Sequence, residues 1–518
     1  MTAKMQQLGY EEFLSWQLQD PGTAPIDDSR LFDPDDAPSG FPGGLGWQDN
    51  KEVAHAWRLA DPYTIALDVA YPDPLNGTFT YAPPNGVKMW FHGPHAMMLG
   101  AEFGQHQLRW VMTDFLQNVH NTLLTQDHAY LMWTPFVRDV IYANALGSYK
   151  DLVLASGKGA SMLYYLGQPD SNKLVPNENY GRELAELHTV GVKSYTIGSN
   201  VLNTYTETDI AEFARILTGW DMVDWGAFSG IQPPGPNWGD FIFTQSEHDT
   251  LQKTVSMTGS NYGPKNYPGP LGPNLQEGEE LIADLVAHPL CALHISRRLV
   301  QWFLGDDFEG QFQGPWLRTA VAFLNTGGDL KAAVRELFNY TFIDEICPPG
   351  TRDNKVRRPL NKVMAFKRAL SATIAYNAPD SYQWFIQQYQ MGQVSGWWPA
   401  PNGYQPENPK WTATVQPMVR FYYDAIWGGT GYVDPSTGQA VPGNGFRIPS
   451  TTLADALPTG TPVSDYAARA AEYLMGGCLP PLEEAEIQDI LLSTTLLGDK
   501  RRWALFFVLT SPAYQFLC

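Results

Sequence analysis

Apolar residues recur at three- and four-residue spacing along most of the chain, and that period predicts helices. It dominates from His95 to Ala143 and resumes over Tyr149 to Leu166. Further helices are expected over Glu277–Leu304, Trp316–Asn325, Leu330–Phe338 and Pro359–Tyr376. Ala467–Met475, Leu482–Leu492 and Lys500–Leu509 close the chain with three more, and residues 8–18 open it with a short amphipathic one. Thr206-Glu207-Thr208-Asp209 reads as a helix start, because Thr206 can cap and the acids suit the helix dipole. Gly219 is a natural stop, and His288-Pro289 a start or a break. Between these elements the period fails. Residues 21–50, rich in Pro, Gly and Asp, predict an irregular arm, and residues 52–76 follow neither period. Residues 221–275 predict a loop with a short hairpin, and residues 377–463 a long polar tract rich in Pro, Gly and Trp. The expected fold is mainly α: one large helical domain over residues 1–518, with long irregular Pro-, Gly- and aromatic-rich insertions and small hairpins. The longest insertion is 377–463.

The densest chemistry lies at Asn177-Glu178-Asn179-Tyr180-Gly181-Arg182-Glu183-Leu184-Ala185-Glu186-Leu187-His188. At about 100° per residue, Tyr180, Leu184 and Leu187 form an apolar stripe. Asn179, Glu183 and Glu186 fall together beside it, with Arg182 at their edge. His188 falls on the opposite side with Asn177, Gly181 and Ala185, so Glu186 and His188 do not converge on a regular helix. Two readings follow. Asn179, Glu183 and Glu186 form a possible first shell for a divalent metal, since carboxylates at i and i+3 are a common geometry for one. Alternatively, Arg182 neutralises Glu178 or Glu186 within a buried network that also holds Glu183 and His188. Glu183, Glu186 and His188 are the catalytic candidates of this helix. His248-Asp249 is a second candidate, a histidine held by a carboxylate in a loop, as general base or as a loop hydrogen bond. His92 and His95 flank a turn, and His294 with Arg298 reads as packing.

Composition narrows the classes. Hydrophobic residues make up 44 % and charged ones 17 %, which requires a large buried interior. The formal charge is −20, which disfavours nucleic acid and anionic membrane. The four cysteines contain no Cys-x-x-Cys pair, and Cys291 sits among Leu290, Ala292 and Leu293 as a small hydrophobe. No apolar run approaches the roughly 18 residues needed to span a bilayer. The first residues lack the layout of a signal peptide. There is no phosphate-binding glycine loop, no Gly-x-Ser-x-Gly and no His-Glu-x-x-His. With 17 Trp, the chain has aromatic surface to spend. Trp397, Trp398, Tyr404 and Trp411 are the expected partner-binding residues, because large rigid rings concentrate at interface centres.

The ordered blocks of the chain resemble the bacterial DUF1800 family. They are Asn144-Ala145-Leu146-Gly147, the Asn177–His188 stretch with Gly191, Tyr205–Asp209, Ala214–Trp220, His248-Asp249 with Lys253, His288-Pro289, Arg297-Arg298-Leu299, Gly327–Leu330, Pro399-Ala400-Pro401 with Gly403-Tyr404, and Leu509–Pro512. One block departs. Where the family carries Trp-His-Asn-His-Phe, this chain reads Leu116-Gln117-Asn118-Val119-His120, so both histidines are replaced and His120 is displaced by one position. The resemblance implies an extracytoplasmic protein and, as one partner, a sulfatase-like secreted protein. With no signal peptide in view, a cytoplasmic location stays open. It implies no established activity. Two functions are therefore carried forward. The first is a non-catalytic structural or accessory subunit contacting protein partners, self or hetero, without a cofactor. The alternative is an extracytoplasmic metal-dependent hydrolase or oxidoreductase centred on Asn177–His188.

Overall fold

A computed structural model describes residues 7–19, 106–126, 129–197, 200–223, 239–270, 272–342, 355–370, 389–407, 415–427, 450–477, 479–496 and 498–517, with short pieces between them. The expected arm at 21–50, and His92 and His95, lie outside the described residues. The fold is mainly α. The helices are α1 Tyr10–Gln17, α2 Gln107–Val119, α3 Ala129–Pro135, α4 Tyr149–Lys158, α5 Ala160–Tyr165, α6 Glu178–Glu183, α7 Glu207–Ile216, α8 Leu275–Ala287 and α9 Pro289–Phe303. They continue as α10 Gln313–Asn325, α11 Leu330–Leu337, α12 Pro359–Leu370, α13 Val415–Trp427, α14 Ser450–Ala456, α15 Tyr466–Met475, α16 Pro481–Leu492, α17 Lys500–Thr510 and α18 Pro512–Gln515. Among the described residues, strands occur only as two-stranded antiparallel pairs.

Local chemistry sets several boundaries. Thr206 accepts from the Asp209 amide while Asp209 accepts from the Thr206 amide, a complete capping box at the start of α7. The expected break at His288-Pro289 is real. His288 Nδ1 accepts from the Leu290 amide and starts α9, while α8 has already ended. Gly219, with φ of +81°, turns the chain after α7. Residues 221–275 hold parts of two hairpins: Trp220–Met222 with Phe241–Phe243, and Lys253–Val255 with Lys265–Tyr267.

Two expectations change. The helix expected over Pro359–Tyr376 ends at Leu370, and Thr373-Ile374 pairs with Phe446-Arg447 as strand. The tract 377–463 is not irregular throughout, because α13 and α14 lie inside it. Met418, Phe421, Tyr422, Ala425 and Ile426 keep helical spacing and are all buried, a pattern masked by Pro and Gly on both sides.

The buried apolar residues fall into two cores. The first gathers side chains of α1 through α11. The second gathers α12, α13, α15, α16 and α17, with Tyr514 of α18. The second is closed by its own ends, where Lys355-Val356 pairs antiparallel with Phe516-Leu517.

Candidate functional site

The signature stretch starts as α6, capped by the Asn177 side chain on the Asn179 amide at 2.9 Å. From Leu184 to His188 it widens into a π turn. A π turn rotates side chains away from their α positions, so the regular-wheel argument fails beyond Glu183. Arg182 reaches Glu207 at 2.8 Å, Glu178 at 3.4 Å and Glu186 at 3.7 Å. Tyr205 donates to Glu186 at 2.7 Å. The expected burial holds for His188 at 2 % exposure, but Arg182 and Glu183 are only partly buried. Arg182 lies toward Glu207 on the exposed start of α7, not the core. Glu183 makes no side-chain hydrogen bond. Burial, and then the Glu186 charge, push its carboxyl up to about 7, against the opposing pull of Arg182. Asn179 is exposed and its amide donates to Leu166 O at 3.2 Å. Among the described residues, no three His, Cys, Asp or Glu side chains come together so as to hold a metal ion.

His188 has an unforeseen neighbour. His120 caps the end of α2, and its ring stacks on His188 at 4.4 Å and 17°. His120 Nδ1 lies 3.0 Å from Ser156 Oγ, while its Nε2 has no partner. Burial, together with Arg298 and His294, holds His188 down at about 3. His294 Nε2 and Arg298 both donate to Leu187 O at 3.2 Å, and Tyr149 donates to His188 O at 2.7 Å. The His294–Arg298 pair therefore does serve packing, by fixing the end of the π turn. The sequence signal was His120 itself, adjacent to the substituted family block, but nothing local pointed to a partner 68 positions away.

The rest of that block binds a strap formed by residues 391–407. Asn118 uses both ends of its amide: it donates to Tyr404 O at 3.0 Å and accepts from Tyr404 N at 2.6 Å. Asn121 donates to Trp398 O at 2.9 Å and Ala400 O at 2.8 Å. Gly403 has φ of +68°, and a Cβ there would come within 2.2 Å of Asn118 O. That explains why Gly precedes Tyr404 in this block. The four expected partner residues belong to this packing. Trp411 is 4 % exposed and donates to Gln405 O at 3.0 Å. Tyr404 bonds Val394 through its hydroxyl, Trp397 packs on the first core, and Trp398 lies 5.1 Å from the Tyr404 ring. Much of the surface expected to meet another chain is turned onto this one, because the strap supplies backbone acceptors that Asn118 and Asn121 require.

His248 and Asp249 part company. Asp249 pairs with Arg215 at 2.7 Å. His248 faces Thr218 O through Nδ1 at 2.8 Å and Glu277 through Nε2 at 2.9 Å. Lys253 closes on the same carboxylate at 2.9 and 3.0 Å, and its ammonium also meets Asp249 O. The side chains of His248, Lys253 and Glu277 have no exposed surface. Sequence reasoning missed Glu277 and gave the histidine the wrong carboxylate, since the true one comes from α8. A surface cleft of about 270 Å³ nearby is lined by Asp170, Ser171, Asn172, Asp221, Thr244 and Glu247, and holds none of the expected site residues.

The family model described as "Protein of unknown function (DUF1800)" matches residues 1–516. No curated protein and no solved structure gives a significant match. No helix among the described residues is long and apolar enough to cross a membrane.

Proposed function

The chain belongs to the DUF1800 family, and from that premise we propose that it is a non-catalytic structural or accessory subunit that contacts protein partners. The observation that carries this reading is the commitment of the signature residues to this chain. Arg182 and Glu186 tie α6 to the start of α7, His188 stacks inside the first core, and His248 lies sealed beside Glu277. Residues so occupied join elements together and leave little to offer a substrate. One apolar stripe left outward among the described residues lies on α10. Leu317, Val321 and Leu324, at i, i+4 and i+7, are 43 %, 56 % and 39 % exposed. This stripe carries no charge in a chain of formal charge −20, the composition of a surface made to be covered by protein.

A second reading rests on Glu183. A half-buried carboxyl raised to about 7 beside a second carboxylate is suited to acid–base work near neutral pH. It would belong to the metal-dependent hydrolase or oxidoreductase considered above. One experiment separates the two: the native mass of the purified protein, with its elemental content, for wild type and Leu317→Glu/Val321→Glu. The subunit reading expects a mass above that of one chain, lowered by the double substitution. A monomer with bound metal, and a turnover lost in Glu183→Gln, would replace it by the second.

A further inference from the structure

Three chain segments close the surface cleft near His248. Residues 169–172 follow α5, 219–221 lead from α7 into the first hairpin, and 244–247 leave it. Backbone bonds tie the three together. Gly219 N donates to Ser171 O at 3.2 Å, Thr244 N to Gly219 O at 2.8 Å, and Lys173 N to Glu247 O at 2.7 Å. A Cβ on Gly219 would come within 2.7 Å of Thr244 O, so these walls meet only where that residue is glycine. Each segment brings one carboxylate, Asp170, Asp221 and Glu247, and no lysine or arginine lines the cleft. Lys173, next to the lining Asn172, turns its ammonium to Ser246 O. Burial pushes the Asp221 carboxyl up, the Met222 amide draws it down, and the Asp170 charge acts with burial. A cation between the two carboxylates would relieve that repulsion.

The rim is apolar. Leu174 is 82 % exposed and Val175 68 %, in a turn where Val175 bridges back to the lining Asn172. Ile242 stands opposite Asp221 in the hairpin, and opposite residues share a face of the sheet. Its exposed side chain therefore lies on the side that Asp221 gives to the cleft, while Trp220 and Met222 turn the other side into the first core. Acid within and apolar surface around it specify the occupant. A divalent metal does not fit, because no three carboxylate or imidazole side chains among the described residues come together so as to hold one. The volume of about 270 Å³ falls below the range of about 300–1,000 Å³ usual for whole organic ligands, and suits one long side chain. We propose that the cleft and its rim are a docking site for a basic segment of a protein partner. An arginine or lysine of that segment enters among Asp170, Asp221 and Glu247, and its apolar neighbours lie on Leu174, Val175 and Ile242. Nucleic acid and anionic membrane are repelled by the same carboxylates. The proposal rests on the subunit reading and gives it the chemistry of a partner, at residues apart from the α10 stripe.

The probes are end-blocked peptides, Ala-Leu-Arg-Leu-Ala and its counterparts with Lys, Met or Glu at the centre, titrated into the full-length chain by calorimetry. Spermidine is the probe for a free cation. The Arg and Lys peptides are expected to bind about tenfold or more tightly than the Met peptide, with affinity falling as salt rises, and the Glu peptide not at all. Two carboxylate variants are expected to remove that tenfold preference: Glu247→Gln, at an exposed residue, and Asp221→Asn, which keeps an acceptor for the Met222 amide. Leu174→Ser should weaken the basic peptides and leave spermidine unchanged. The assignment is overturned if the Met peptide binds as tightly as the Arg peptide, if both carboxylate variants bind like wild type, or if neither basic peptide binds. Spermidine binding as tight as the Arg peptide, with no effect of Leu174→Ser, would replace the protein partner by a small cation. The native mass reports separately. An assembly that persists while the peptides fail removes only the cleft, and peptides that bind a monomer remove only the subunit reading.

Discussion

The two cores bury charge in opposite ways. In the first, Glu277 lies between Lys253 and His248, and each polar atom of the three faces a counterpart. In the second, the charge acting most closely on Lys362 is another cation, Arg357. Glu277 and Lys362 are each 1 % exposed, so depth does not separate them. The balance of donors and acceptors does. A balanced cluster is complete in itself and serves the fold. An unbalanced one costs stability as it stands. The signature helix lies between these extremes: Arg182 serves three carboxylates, while Glu183 is left without a hydrogen bond.

Removing the shared carboxylate of the balanced cluster should have the largest effect. Glu277→Ala leaves a buried ammonium and an imidazole without their acceptor, and is expected to cost roughly 3–5 kcal/mol by chemical denaturation. In the same assay, Lys362→Met is expected to lose nothing or to gain, because the amine it removes is buried without a partner. If Glu277→Ala costs less than about 1 kcal/mol, water reaches the first cluster and the contrast between the cores disappears.

The sequence carried what is local. The capping box at Thr206 and the break at His288-Pro289 depend on neighbours within four residues, and both were legible. So was the helical period through most of the chain. The π turn was not, because an i to i+5 bond leaves no mark in the spacing of Leu184 and Leu187. Helix α13 was hidden by its flanks. The functional clusters failed for another reason. Glu277 meets His248 and Lys253 across 29 and 24 positions, and His120 meets His188 across 68. Asn118 pairs with a backbone, whose donors and acceptors every residue offers, so its partner could not be read from residue type. The aromatic strap showed its size but not its direction. Rings suited to an interface are equally suited to a seam within one chain.

The cores should also separate by pH. His188 is held at about 3 by burial, Arg298 and His294, below the usual histidine value of about 6.5. Between those values the unfolded chain holds the extra proton, so stability rises with pH across the window and is lost as pH falls below about 6.5. His188→Phe keeps a ring against His120 but cannot take a proton, and should flatten that acid limb. Lys362, at about 7 against its usual value near 10.5, follows the same sign in a higher window. Its cost is full below 7 and fades as pH rises toward 10.5. The Tm difference between wild type and Lys362→Met should therefore close over that range. A constant difference would mean that the amine already has an acceptor. An acid limb unchanged in His188→Phe would place acid sensitivity elsewhere.

The smallest effect should come at the strap, where the cores meet. Met391 is 0 % exposed in the second core, Trp397 packs against the first, and Asn118 and Asn121 hold the segment between them onto α2. Asn118→Ala removes both bonds to Tyr404 and leaves the Tyr404 amide and carbonyl to find other partners. The expected loss is roughly 1–3 kcal/mol. Hydrogen exchange should locate it, with faster exchange over 394–404 and unchanged protection in α7 and α12. Gly403→Ala should reproduce the effect from the opposite side, since the added methyl meets Asn118 O and the backbone is left-handed there. If the strap couples the cores, both substitutions should also broaden or split the unfolding transition, because the balanced and unbalanced halves would then melt at their own stabilities. If the strap exchanges no faster in either variant, the cores are joined elsewhere, and the two bonds at Asn118 are fastenings on an interface that holds without them.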